Sequence, residues 1–315
     1  MPPVNRNKPI NAESSDSRYT LMDFMREFPD DPTCLEWLWR NRYSPDGEHA
    51  HCPKCETERV FKRYGTSQQR QSWTCNGCGH HLHPTAGTIY HKSSTSLHLW
   101  FYGMFLMTST RCGISAKQLE RELGVNYKTA ARMMKKIRND LMLQDDSPMG
   151  GTLEADETYV GGKRWGKKGA KRGRPGPDSH KVPVFGVVER HGRVMAVTVP
   201  NVRKVTLMPH IERRVMPAST IYTDELLSYR GLTGAGYRHD RVNHSEQVYV
   251  SGDVHTNTIE GFWSLMKRGI GGVYHSVSAK HLQGYLNEYA WRYNHRSDER
   301  AQFETLLLKA AQPDG

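Results

Sequence analysis

Gly151-Thr-Leu-Glu-Ala-Asp-Glu-Thr-Tyr-Val-Gly-Gly162 is the stretch on which the reading of this chain turns. Before it the sequence is rich in Cys, His and helical patterns; from Thr152 the pattern changes to strands. Thr152–Val160 predicts a strand that carries an acid, Asp156. A second acid, Asp224, ends the apolar run Ile221-Tyr-Thr-Asp224. A third, Glu260, lies in His255-Thr-Asn-Thr-Ile-Glu-Gly-Phe-Trp263, which has helical periodicity. Two acids at strand ends and one on a helix can hold two divalent metals beside a phosphodiester, because hard cations take carboxylate oxygens.

Around this stretch the pattern predicts an α/β region. Residues 183–189 and 194–199 read as a hairpin turning at His191-Gly192, residues 204–215 as a helix, and Thr220–Thr223 as a short buried strand. Helices follow at about 256–268, 278–295 and 298–310. Other acids compete with these. Glu154 and Glu157 neighbour Asp156, and Glu154, which shares its strand face by period two, is the rival; Glu225 similarly rivals Asp224. Asn257 and Glu260, spaced i, i+3, share one helix face. Lys267 lies two turns beyond Glu260 on that face, placed either to meet a phosphate or to sit in solvent.

Upstream, Cys52-x-x-Cys55 and Cys75-x-x-Cys78 flank a spacer whose Val60–Tyr64 and Gln71–Thr74 segments can form strands. Four thiolates suit one tetrahedral structural zinc, so residues 43–92 read as a zinc ribbon. His51, His80, His81 and His83 could replace a ligand, but four cysteines already suffice. Cys34 and Cys112 read as small core residues. Between the ribbon and the strand region, residues 93–147 read as helical. Ile114–Gly124 predicts a short helix with a glycine cap, and Val125–Arg138 a second helix after a tight turn. This is a helix-turn-helix pattern, whose second helix presents Tyr127, Lys128, Arg132, Lys135 and Lys136 to DNA.

The chain of 315 residues carries 44 Lys+Arg against 33 Asp+Glu, a net charge of +11 that favours a polyanionic partner. Eight basic residues crowd into residues 163–181. Among them Lys163, Arg164, Lys167, Lys168, Lys171, Arg172 and Arg174 lie directly after the first strand, with Trp165 available to stack on a base. This basic insertion reads as a loop that orders on DNA. Residues 1–17 read as a disordered N-terminus, and 18–42 as two short helices broken by Pro29 and Pro32. Residues 148–297 read as the catalytic domain, and 298–315 as a C-terminal helix and tail. The start lacks the apolar core of a signal peptide. The most apolar helical stretch, 97–107, is too short to cross a bilayer and contains His98. A cytoplasmic protein with reduced cysteines and no membrane partner is expected.

These motifs together resemble a DDE-type insertion-sequence transposase of the insertion sequence 1595 family, the ISXO2-like group, over about residues 20–295. The resemblance rests on the Cys52–Cys78 ribbon, Pro84-Thr-Ala-Gly-Thr88, Glu154–Gly162, Tyr222-Thr-Asp224, His255–Trp263 running to Lys267-Arg-Gly269, and Gly272-Val-Tyr-His275 through Tyr293-Asn294. It implies an RNase H-like, integrase-type catalytic domain, and Mg²⁺ or Mn²⁺ as a pair of catalytic ions. The activity implied is cleavage and joining of DNA strands, on terminal inverted repeats and target DNA. Asp156 and Asp224 are the implied first two acids. Between Asp224 and Glu260 lie 35 residues, the spacing of integrase-like enzymes. Part of the family carries Asn as the third catalytic letter, followed by Lys, and here Asn257 and Glu260 are both present. Glu260 is favoured because a carboxylate binds Mg²⁺ better than a neutral amide, with Asn257 a second ligand or an orienting group. Pairing two DNA ends implies a homodimer or larger assembly. The competing expectations are a non-catalytic zinc-ribbon and helix-turn-helix regulator, and a metal-dependent nuclease that does not join strands.

Overall fold

A computed structural model describes residues 19–65, 72–161, 181–224, 226–242 and 254–312. The chain divides into two compact units, one running up to Leu141 and resuming at Arg296, the other spanning Met142–His295. The expected disordered stretch 1–17, the basic insertion with its seven candidate DNA-binding cations and Trp165, and Glu225 lie outside the described residues.

In the first unit, helix α1 (Leu21–Glu27) starts from a reciprocal capping box between Thr20 and Asp23. Helix α2 (Asp31–Arg42) is capped by Asp30. Pro32 lies in its first turn and begins the helix where the sequence suggested a break, because a first-turn residue has no intrahelical use for its N–H. Strands β1 (His49–Cys52), β2 (Thr57–Tyr64), β3 (Ser72–Cys75) and β4 (His81–Leu82) form an antiparallel sheet in sequence order. The sheet packs on α2 through Trp39 and Trp73, whose rings stack at 4.7 Å. Helix α3 (Leu97–Ser109) buries Trp100, Phe101, Met104 and Phe105, and serves as the hub of the unit. Helices α4 (Ala116–Leu123) and α5 (Tyr127–Lys136) pack against it. The final helix α9 (Gln302–Ala311) returns to this unit, where Phe303 joins Phe24, Phe28 and Phe105 in an aromatic cluster.

The second unit is a five-stranded mixed sheet. Its strands are β5 (Thr152–Val160), β6 (Val182–Glu189), β7 (Val194–Thr198), β8 (Thr220–Thr223) and β9 (Arg238–Arg241), in the order β7-β6-β5-β8-β9. β5, β6 and β7 form an antiparallel meander, while β8 and β9 add in parallel on the other side of β5. β9 is absent from the sequence reading: Arg-His-Asp-Arg has no apolar alternation, and its charges suit an edge strand.

Strand alternation divides the sheet into two faces. Leu153, Ala155, Phe185 and Val187 point into a core shared with helix α6 (Lys204–Arg214) and Tyr229. Val160, Val184 and Val188 point into a second core, under helices α7 (Asn257–Gly269) and α8 (Ala279–Asn294). β5 is thus covered on both faces, with Leu153 and Ala155 in one core and Val160 in the other. The last three helices begin and end within a few residues of their expected bounds, except that α9 starts at Gln302 rather than 298.

Candidate functional site

The register of the sheet builds the site. In the parallel pair β5–β8, Ala155 lies opposite Thr223. One residue further, Asp156 stays in the strand while the β8 chain leaves the sheet at Asp224. Asp224 Oδ1 accepts the N–H of Leu226 at 3.0 Å, a local turn that holds the carboxylate at the strand end. Asp156, Glu157 and Asp224 each bring a carboxylate oxygen within 4.8 Å of the other two. Octahedral magnesium spaces its oxygen ligands about 3–4 Å apart, so this donor set fits a hard divalent cation.

The electrostatics agree with that fit. Burial, then the neighbouring Asp224 charge, push the Asp156 carboxyl up to about 6. Burial, then Asp224 and Asp156, push Glu157 up to about 8. Three like charges at this separation oppose one another's ionisation, and a divalent cation among them reverses the sign of that interaction.

Each acid has its own support. Trp263 Nε1 on α7 donates to Asp156 Oδ2 at 2.9 Å. The indole reaches that oxygen by lying across Gly186 on β6, the residue paired with Asp156. A Cβ at Gly186 would stand 2.6 Å from two Trp263 ring carbons. On the other face, the hydroxyl of the fully buried Tyr229 donates to Glu157 Oε2 at 2.9 Å.

Glu154, the expected rival on the Asp156 face, is fully buried and committed elsewhere. Its Oε2 accepts the N–H groups of Thr258 and Ile259 at 2.8 and 3.0 Å. Its Oε1 accepts Arg190 Nε and the Thr258 hydroxyl, each at 2.9 Å, and His255 Nδ1 lies 3.2 Å away. The N-cap residue of α7, Thr256, makes no side-chain cap. A carboxylate on β5 therefore caps α7, satisfying amides that the helix cannot bond internally and facing the positive end of its dipole. With both oxygens taken, Glu154 is an anchor for α7 and unavailable as a metal ligand.

Glu260 stands exposed in the first turn of α7, and its Oε1 accepts the Thr256 hydroxyl at 2.9 Å. It lies outside the close carboxylate triple, yet its charge contributes to raising Asp156. Asn257 is the exposed first residue of α7, and Lys267 is exposed in its last turn.

In the first unit the four expected thiols converge. Cys52, Cys55, Cys75 and Cys78 lie within 4.8 Å of one another, with Sγ–Sγ separations of 3.6 Å for Cys52–Cys78 and 4.0 Å for Cys55–Cys75. A tetrahedron of Zn–S bonds has edges of about 3.8 Å, so the cluster fits one zinc ion. Cys34 is buried as expected, while Cys112 is only partly so.

In the helix-turn-helix region, Gly124 ends α4 at φ 63°, a left-handed cap that favours glycine. Asn126 then caps α5 by accepting the N–H of Thr129. Lys128, Arg132 and Lys135 are exposed along one stripe of α5, and Tyr127 stands exposed at its start. Lys136 differs from the expectation. It is half-buried, and its Nζ donates to the carbonyl of Ile89 at 3.2 Å.

The protein is thus of mixed α/β class, with a cysteine cluster in one unit and an acidic centre in the other. Residues 148–294 match the ISXO2-like transposase domain. A protein of transposable element ISH50 from Halobacterium salinarum is 30% identical over 275 residues, covering 81% of this chain and 86% of that protein. A transposase-like protein of Haemophilus influenzae is 35% identical over 114 residues, covering 36% of this chain and 90% of its own length. The chain belongs to the ISXO2-like transposase family. Among solved structures, the pre-cleavage Mos1 transpososome aligns with 67% of this chain and 79% of its own, at 11% identity and a TM-score of 0.25. The Mos1 paired-end complex with Mg aligns at 12% identity and the same TM-score of 0.25, too low to bear on the assignment. Among the described residues no helix is long and apolar enough to cross a membrane.

Proposed function

We propose that this protein is a metal-dependent DNA transposase that binds the terminal inverted repeats of its element, cleaves strands there, and joins the 3′-hydroxyl ends to target DNA. The observation that carries the reading is the meeting of Asp156 and Asp224, brought by the β5–β8 register from positions far apart in the chain. The sheet order, a three-strand meander with two parallel strands beside its first member, supports an RNase H-like catalytic domain.

In this reading Asp156 and Asp224 hold the catalytic ions, Mg²⁺ or Mn²⁺, and α7 carries Glu260 and Asn257 to the same site. Two bound divalent ions would supply activation of the attacking oxygen and stabilisation of the leaving oxygen. The remaining work falls to the protein. Trp263 orients Asp156, Glu154 fixes the height of α7, and Lys267 offers a cation to a phosphate on the Glu260 face. The cysteine cluster holds one structural zinc. The exposed cations of α5, Lys128, Arg132 and Lys135, face the DNA backbone, with Lys136 contributing less. The basic insertion, Lys163 to Arg174, neutralises DNA near the acids. Two protomers or more bring the two ends together.

Purified, zinc-loaded protein incubated with Mg²⁺, target DNA and a pre-cut inverted-repeat end tests the reading. Strand-transfer products that vanish in Asp156→Asn and Asp224→Asn are expected. Retained binding with no joined product would refute it. In the same assay Glu260→Ala should be more severe than Asn257→Ala, and the reverse order would make Asn257 the third essential residue.

A further inference from the structure

We propose that Glu157 is a direct ligand of the catalytic ions, held by Tyr229, so that the metal centre draws on both faces of β5. The inference rests on the acidic centre being the transposase's metal site, and it names a residue that reading does not require.

Four acids crowd the region besides Asp156 and Asp224 or lie within reach of them by sequence: Glu154, Glu157, Glu225 and Glu260. Glu225 lies outside the described residues. Glu154 has both oxygens engaged by the α7 N-terminus and Arg190. Glu260 is exposed and hydrogen-bonded to Thr256. Among the described acids, Glu157 alone joins Asp156 and Asp224 in a triple whose oxygens lie within 4.8 Å of one another.

The strand places Glu157 opposite to Asp156, so its approach needs an explanation, and Asp224 provides it. β8 stops at Thr223, so the Asp224 carboxylate stands beyond the edge of the ordered pairing, where acids from either face of β5 can meet it. Tyr229 fixes the geometry. It is fully buried in the core beneath α6, cannot leave without opening that core, and donates to Oε2 of Glu157 alone of the three acids. A hydrogen bond from a rigid donor orients a carboxylate ligand and reduces the entropy lost when a cation binds. Glu260, on an exposed helix turn, would then complete the coordination when DNA is present and would not be needed for the first ion.

The test is Mn²⁺ binding to the zinc-loaded full chain without DNA, followed by calorimetry and by the electron paramagnetic resonance of free Mn²⁺. Glu157→Gln should weaken the tightest ion by about tenfold or more, and Tyr229→Phe, which keeps the ring and removes only the hydroxyl, by about tenfold. Glu260→Gln should leave that ion within about threefold of the wild type, and Asp156→Asn should abolish it. Wild-type affinity in Glu157→Gln beside a loss in Asp156→Asn would overturn the role of Glu157 and leave the metal site standing. Wild-type affinity in Asp156→Asn as well would overturn the site itself. If Glu157→Gln does not fold, Tyr229→Phe decides, since unchanged Mn²⁺ affinity there contradicts the proposed support.

Discussion

Replacing Glu154 separates two contributions that the structure superposes on one side chain. In Glu154→Ala, Arg190, whose side chain is only 16% exposed, loses its carboxylate partner and keeps only the His255 carbonyl and the Tyr222 ring. The N–H groups of Thr258 and Ile259 lose their acceptor at the same time. Breaking a buried ion pair costs about 3–5 kcal/mol, and each orphaned amide about 1–3 kcal/mol, with overlap between the two. A net loss of about 4 kcal/mol follows, which corresponds to a fall in melting temperature of about 8–16 °C for a unit of this size. Glu154→Gln behaves differently. A glutamine oxygen in the Oε2 position still accepts both amides, while its NH2 in the Oε1 position can no longer accept from Arg190 Nε or the Thr258 hydroxyl, so the loss is confined to that side, for about half the cost. The local readout is amide hydrogen exchange at Thr258 and Ile259. At about 1.4 kcal/mol per decade, protection should fall about a thousandfold in Glu154→Ala and about thirtyfold in Glu154→Gln. Equal protection in the two variants, or a loss below about 1 kcal/mol in Glu154→Ala, would show that the strand does not cap the helix.

The other expectations concern separate parts of the molecule. Gly186→Ala places a Cβ 2.6 Å from the Trp263 ring, so it should destabilise the unit by about 1–3 kcal/mol in urea titrations and reduce strand transfer; adding Trp263→Phe, which lacks the two clashing carbons, should restore stability but not activity. Because burial and its acidic neighbours raise Glu157 from 4.5 to about 8, the folded protein binds this proton more tightly than the unfolded chain. Its ionisation therefore costs stability progressively as pH rises from about 4.5 through 8. Without magnesium, Glu157→Gln should melt above wild type at pH 8.5 and converge with it near pH 4.5; a gap that does not shrink on acidification contradicts the sign. One zinc per chain should be released by a thiol-reactive reagent, and its loss should change the near-ultraviolet circular dichroism of the Trp39–Trp73 stack; full loading in Cys75→Ser would contradict the ligand set. Lys128→Ala and Lys135→Ala should each lower the salt dependence of inverted-repeat binding by about one ion, and Lys136→Ala by less, because its ammonium is held by Ile89; the opposite ranking would point to another face of α5.

Those elements whose pattern follows from burial were legible in the chain. The amphipathic α7 announces itself by period, α4 by its glycine cap at Gly124, and α5 by the tight turn that follows it. β9 was not legible, since an edge strand of four mostly exposed polar residues has no apolar period to read. The helix at the C-terminus could be anticipated, but its destination could not. Phe303 is packed by Phe24, Phe28 and Phe105, and nothing local to Phe303 specifies those partners.

The acidic centre divides along the same line. Asp224 could be singled out because an acid at the end of an apolar run is a local feature of the sequence; Asp156, expected at a strand end, lies in the middle of β5, and what marks it is the motif around it. The role of Glu154 could not be read, because the N–H donors it accepts on α7 lie 104 and 105 residues away and the capping geometry exists only once the sheet has formed. Glu157 is the more instructive case. Strand alternation assigns it to the face opposite Asp156, which on periodicity alone argues against a shared site. That argument holds only while a neighbouring strand separates the two faces. β8 ends one residue before Asp224, so at this row the sheet has an open side, and acids of opposite parity converge on one point. Where a central strand outlasts its parallel neighbour, period two no longer decides which side chains can share a cation, and the residue after the expected ligand becomes a candidate in its own right.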